Sequence, residues 1–390
     1  MKRVLILGGG FAGVESAIYL KKNKFDVTLV SDRDFFYIYP TSIWIPTGAL
    51  ESEDARISLD ELSRKHRFEL IVDPVVDFDA STKKTTLESG KILEGFDYLV
   101  IALGQSKLGH DGIEHTLSIC GKPKQATDLY DRLDLLVQRK SGRIAMGFGG
   151  NANDKSAVRG GPAFELMFNV DTYLRKKKMR EHFELTFFAP MAEPGKKMGP
   201  EALKVIDKMF KSKNIKRRVG TKILRFEKDG VVFTDQTKLE ADLIMYIPAG
   251  TGHHITTKAG LPLNEAGFVK TNRFCEVEGF ESIYAVGDNA ALMGPKWKAK
   301  QGHVAEVMAR NVAHNIALHA KGIQEGKKSY VEHLSILCVM DTGDGAAFVQ
   351  RDERASKIIP MPIFGHWMKK GWGWYFKNSK LGKIPRIPGM

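Results

Sequence analysis

The apolar run Val4 to Leu7 leads straight into Gly8, Gly10 and Gly13, and far along the chain a second apolar run, Tyr284-Ala285-Val286, ends in Gly287-Asp288. A continuous apolar run suits a strand buried on both faces of a parallel sheet. The three glycines supply a tight turn, a close approach to a pyrophosphate and a contact between helix and strand. The helix expected from Val14 to Lys22 aims its N-terminal N–H groups and positive dipole end at the phosphates. Lys24 to Val30 read as the next strand, and Asp32 stands about 20 residues past the glycines, where a carboxylate meets a ribose hydroxyl. Ser31, at the end of that strand, is expected to share the contact.

A dinucleotide gripped by both ends of an interrupted domain points to FAD as the cofactor. Inside the interruption, Leu70 to Asp79, Thr85 to Ser89 and Ile92 to Gly95 read as short strands and turns. Tyr98 to Gly104 reads as a buried strand closing in a small-residue turn, which lets backbone pass against a cofactor. A second strand–turn–helix follows: Arg143 to Phe148, the loop Gly149 to Gly161, and a helix from Pro162 to Lys178 that opens with Pro and closes on basic residues. Phe183 to Phe188 supply its partner strand. The predicted class is α/β, with two Rossmann-like dinucleotide-binding domains, the second inserted into the first. Residues 1–108 and 268–322 form the expected FAD domain, 109–267 the second domain, and 323–390 a C-terminal interface and membrane-attachment region. The second domain reads as degenerate for NAD(P)H. Its loop between Gly147 and Gly161 is too long for a compact glycine turn and carries Asp154, Lys155 and Arg159. Ala189-Pro190-Met191 offer no acid to an adenosine ribose. A divergent NAD(P)H site built from other residues is the alternative.

The 390 residues carry a net charge of +13, from 59 Lys and Arg against 46 Asp and Glu. Such an excess favours an anionic partner, and no motif supports nucleic acid. No window approaches the ~18 apolar residues of a spanning helix. Met1-Lys2-Arg3 imitates the start of a signal peptide, but the apolar run passes through glycines into Glu15 with no cleavage site. The three cysteines, Cys120, Cys275 and Cys338, match no zinc spacing and make no disulfide framework. Beyond Glu353 there is no acid, while Lys357, Lys369, Lys370, Lys377, Lys380, Lys383 and Arg386 interleave with Trp367, Trp372, Trp374, Tyr375 and Phe376. That is the composition of an interfacial segment. Residues 355–390 are therefore expected to meet an anionic membrane surface, with the cytoplasmic face as the default. Gly371 and Gly373 argue against a long regular helix there, and a basic helix packed on its own domain is the alternative.

Several further motifs stand beside the first glycine run: Tyr37 to Trp44, Ser118-Ile119-Cys120, Gly161-Pro162-Ala163-Phe164-Glu165 and Ile247-Pro248-Ala249. Ala299-Lys300-Gln301-Gly302 with Glu306, and Leu337-Cys338 with Gly343 to Phe348, complete them. With these motifs the chain resembles the sulfide:quinone oxidoreductases over almost its whole length. Flavocytochrome c sulfide dehydrogenase and type II NADH:quinone dehydrogenase are wider relatives. The NADH branch would favour a Gln-rich quinone motif near residue 300 and an intact second glycine loop.

The resemblance implies electrons passing from sulfide, or another small sulfur donor, through a cysteine and FAD to quinone. It implies Cys338 beside the flavin face and Cys120 as a further thiol, linked to the flavin or releasing product. Asp288 is implied at the ribityl hydroxyls, and Lys300 near the flavin's pyrimidine end, where a cation stabilises the reduced ring. It extends the FAD contacts to Phe11, Ala12, Pro40, Val75, Ala102, Leu103, Gly104, Gly287 and Gly302. The family's middle cysteine would lie where this chain has Arg159-Gly160, and a family histidine is replaced near Lys196 or Lys197. Lys300 and Arg159, if close, would favour a reactive thiolate; the bland reading of either thiol is a small core hydrophobe. Cys275 reads as a buried inert thiol. Two other readings stay open: an NADH:quinone dehydrogenase-like enzyme, and a flavoprotein without sulfide activity that docks an electron-transfer partner. A homo-oligomer is also left open.

Overall fold

The computed structural model describes residues 1–387. Val4, Leu5, Ile6 and Leu7 are wholly buried, and their strand, Arg3–Leu7, is the centre of a five-stranded parallel sheet. The strand order is Ile283–Ala285, Tyr98–Ile101, Arg3–Leu7, Asp26–Ser31, Glu69–Val72. The helices Phe11–Lys22 and Gly302–His319 pack together over this sheet. Because strand 283–285 returns from far along the chain, the two glycine segments meet. A Cβ on Gly287 would sit 3.0 Å from that of Ala12.

Between strands 98–101 and 283–285 the chain builds a second parallel sheet, in the order Lys216–Val219, Phe183–Ala189, Gly142–Phe148, Leu243–Ile247. Its core is aromatic, with Phe164 stacked on Phe187 at 4.8 Å and 13°. The architecture is thus the expected α/β arrangement, one Rossmann-like unit inserted into another. Expected boundaries shift by a few residues for local reasons. Lys24 takes a left-handed φ of 64° and belongs to the turn before the second strand. The first helix starts at Phe11, not Val14, because the Gly10 carbonyl already accepts from the Val14 N–H at 3.0 Å.

A three-stranded antiparallel sheet follows (Ile336–Asp341, Gly345–Arg351, Ser356–Pro362), and then the helix Phe364–Lys380. This helix runs straight through Gly371 and Gly373, against the sequence expectation. At Gly373 a Cβ would lie 2.9 Å from Thr41 Cγ2, and at Gly365 it would lie 2.6 Å from Ala346 Cβ. The glycines let the helix seat closely on the body, and tertiary packing outweighs their low propensity. Among the described residues no helix is long and apolar enough to cross a membrane.

Candidate functional site

A cavity of about 2690 Å³ runs through the molecule. From the first glycine segment Gly8, Gly10, Phe11 and Ala12 line it, joined by Ser31, Asp32, Pro40 and Val75. Ala102, Leu103 and Gly104 form another stretch of wall, and the distal segment adds Gly287, Asp288, Lys300 and Gly302. Gly13 is absent from the lining. A Cβ there would fall 1.8 Å from the Gly8 carbonyl oxygen, so its service is to let helix and turn touch. At Gly10 and Gly104 a Cβ would instead project into open space, and no side chain caps the helix that starts at Phe11. Asp32 is largely exposed, with Arg33 4.0 Å away. Asp288 is ion-paired with Arg159, the residue standing where the resemblance places a cysteine.

Lys300 is buried, its ammonium donating to the Ala290 carbonyl and lying 3.9 Å over the Phe268 ring. Burial depresses its pKa to about 7. Cys338 and Cys120 are free thiols, and both open onto the cavity. Cys338 Sγ lies 3.7 Å from Glu165 Oε1, and Glu165 forms a buried ion pair with Lys369. Burial, reinforced by the Glu165 charge, pushes the Cys338 thiol up to about 12. The condition under which Lys300 and Arg159 would favour a thiolate is not met at Cys338: those cations are engaged with Ala290 and Asp288, and an acid stands beside the sulfur. Burial likewise raises the Glu165 pKa, with Lys369 offsetting only part of it. On the Cys120 side lies Lys107, depressed to about 8 by burial and by Arg159, and pulled back by the Cys120 charge. The Tyr37 hydroxyl, also on the cavity wall, is buried without a hydrogen-bond partner among the described residues. Cys275 is 1 % exposed and lies in the core beside the first sheet, away from the cavity.

Residues 2–317 match the family described as pyridine nucleotide-disulphide oxidoreductase. The chain belongs to that family. Within it, the chain is 28 % identical to the sulfide-quinone reductase of Aquifex aeolicus, over 96 % of this chain and 90 % of that protein. It is 22 % identical to the type II NADH:quinone oxidoreductase of Staphylococcus saprophyticus, over 92 % of this chain and 93 % of that one. The crystal structure of the Aquifex aeolicus sulfide:quinone oxidoreductase superposes with a TM-score of 0.87 at 24 % identity, covering 98 % of this chain and 92 % of that one. This pyridine nucleotide-disulphide oxidoreductase is an FAD-dependent enzyme, and its cavity fits the cofactor. The open cradle at Gly10 and Gly104, the uncapped helix end and the Tyr37 hydroxyl supply the donors and the space that an extended dinucleotide would use.

The C-terminal lysines are not all turned outward as composition suggested. Lys369 and Lys380 are buried: Lys369 meets Glu165, while Lys380 meets Glu15 and, at 2.5 Å, Glu306. Arg310 and Arg386 reach Glu15 at 2.7 and 2.8 Å. Phe376 is buried as well, 5.5 Å from Phe11 and 5.8 Å from Phe36. Phe364, Trp367 and Trp374 stay exposed. Sequence reasoning missed Lys107, the Glu165–Lys369 pair, and the buried Asp341, which accepts from Trp44 at 3.2 Å and Asn169 at 3.0 Å and pairs with His366 at 2.7 Å. A signal existed for Glu165, an acid inside the apolar run Ala163 to Phe168. None existed for Lys369, whose partner lies 204 residues earlier.

Proposed function

We propose that this flavoenzyme passes electrons from sulfide, or another small sulfur donor, to a quinone dissolved in the membrane. The observation that carries this reading is the opening of two free thiols, Cys338 and Cys120, onto the cavity lined by the glycine cradle. The similarity to a protein named sulfide-quinone reductase supports it. Bound FAD supplies two-electron oxidation and reduction chemistry. The chain's residues supply the rest. A thiol held near 12 is protonated in neutral solution, and the thiolate is the reactive form. Glu165, with its proton affinity raised and its oxygen 3.7 Å from Cys338 Sγ, is placed to take that proton, while Lys369 balances the charge. Quinone reduction consumes the protons that oxidation of hydrogen sulfide releases, so an internal pair able to hold a proton serves both halves. Phe364, Trp367 and Trp374, with Lys370 between them, would rest on an anionic bilayer and bring the cavity to a lipid-dissolved acceptor.

The replacement of the expected middle thiol by Arg159, paired with Asp288, favours a second reading as a flavoprotein without sulfide activity that docks an electron-transfer partner. Anaerobic mixing of the purified holoenzyme with sulfide, and separately with NADH, decides between them. Loss of the oxidised flavin absorption with sulfide alone is the expected result; loss with NADH alone transfers the assignment to an NADH:quinone enzyme, and loss with neither transfers it to the docking flavoprotein. Replacing Cys338 with Ala should slow reduction by sulfide by at least about a hundredfold, as loss of a reacting side chain does, and Cys275→Ala should leave it unchanged. Full-rate reduction in C338A would remove that thiol from the mechanism.

A further inference from the structure

Beyond the flavin cavity there is a second hollow of about 350 Å³, lined by Lys176, Asp344, His366, Trp367 and Lys370. Three segments meet there: the end of the helix Gly161–Lys176, the turn after strand Ile336–Asp341, and the start of the helix Phe364–Lys380. Two ammonium groups face it without a carboxylate partner among the described residues. Lys176 Nζ donates to the Gly343 carbonyl at 3.2 Å, and Lys370 Nζ lies 5.8 Å over Trp44 and 5.7 Å over Trp367. The one acid in the lining is satisfied elsewhere. Asp344 accepts from Thr342 Oγ1 at 2.7 Å and has Lys213 3.7 Å away, and His366 is held by Asp341. With Lys176 and Lys370 against the carboxylate of Asp344, which Lys213 flanks, the hollow presents net positive charge of the kind that binds phosphate as a point charge.

Its rim is apolar. Ile363, Phe364 and Trp367 stand 71 %, 69 % and 65 % exposed, on a protein surface where contiguous exposed apolar groups mark an interaction site. A free phosphate has no use for such a rim, whereas a lipid places its phosphate at this depth and its chains beside it. We propose that the hollow binds the phosphate headgroup of an anionic membrane lipid, with Lys176 and Lys370 on the phosphate and Phe364 and Trp367 against the acyl chains. This rests on the reading of the C-terminal helix as a membrane-attachment element, and it adds a discrete site that recruits Lys176 from the inserted domain. A bound headgroup would tie that domain to the attachment helix.

The test compares binding of the holoenzyme to vesicles of phosphatidylcholine alone and to vesicles containing phosphatidylglycerol, for wild type, the double variant Lys176→Gln/Lys370→Gln, and a charge-matched control, Lys357→Gln/Lys383→Gln. Flavin absorbance verifies that each variant is folded and loaded. The expected result is tighter wild-type binding to the phosphatidylglycerol vesicles. The pocket variant should lose on the order of tenfold or more of that affinity, the control should lose clearly less, and millimolar glycerol phosphate should fail to compete. Equal losses in the two variants would mean diffuse surface charge and overturn the site. Competition by glycerol phosphate would make it a soluble-phosphate site and overturn the lipid. Wild type binding neither vesicle would sink the attachment reading itself, and the site with it.

Discussion

Lys300 shows how a single side chain can be tuned by the space around it. Its charge is buried in a region whose other polar contact is one carbonyl, and the pKa falls to about 7. The folded value lies below the unfolded one, so the folded state disfavours the protonated form. Below about pH 7 the penalty is complete, and stability should rise as pH climbs from there toward the unfolded value. In the FAD-free protein, Lys300→Met should abolish that rise, measured as the difference in Tm from wild type between pH 6 and 9. In the holoenzyme the same variant should lower the flavin midpoint potential by about 30 mV or more, which is tenfold in the equilibrium constant of a two-electron couple. A potential unchanged within error at equal FAD content would make Lys300 a structural residue. At this scale Lys300, Cys338 and Cys120, the residues that the sequence motifs single out, all line the cavity. Whether Arg159 faces a thiol or Asp288 was not legible there, because it depends on residues 129 positions apart in the chain.

Among the elements, the C-terminal helix separates propensity from packing. Gly371 has open space where a Cβ would go, whereas Gly373 has Thr41 Cγ2 at 2.9 Å. Gly371→Ala should therefore stabilise by about 0.5–1 kcal/mol through helix propensity. Gly373→Ala should destabilise despite the same gain, and thermal unfolding of the two variants should move in opposite directions. Two downward shifts would mean that the helix tolerates no added volume on either side. The parallel strands were legible because a run such as Val4 to Leu7, buried on both faces, admits few other readings. The glycine turns were legible because Gly8 and Gly13 have no room for a side chain. The C-terminal helix was obscured because its glycines read locally as breakers, and the surface that accommodates them, Thr41 and Ala346, lies on other elements.

For the whole molecule, the decisive feature is the buried cluster around Glu15, which joins the first helix, the helix Gly302–His319 and the C-terminal segment through Lys380, Arg310 and Arg386. Burial works against the Glu15 charge, but the three cations outweigh it and hold its pKa down at about 2. Stabilisation from a depressed carboxylate is present above the unfolded value and is lost as pH falls through the folded one. Glu15→Gln should cost about 3 kcal/mol or more by stranding buried cations. In denaturant titrations its deficit relative to wild type should be constant above pH 5 and shrink below pH 4. A deficit that ignores pH would mean that shape, not charge, holds the cluster. The 365 residues separating Glu15 from Lys380 carry a consequence for biosynthesis. On the ribosome the carboxylate is made long before its counter-charges, so the wall beside Phe11 and Phe376 closes only after Lys380 has emerged. Cofactor loading thereby becomes a late event, and a chain stopped short of the C-terminal helix would have both parallel sheets but no finished place to keep its flavin.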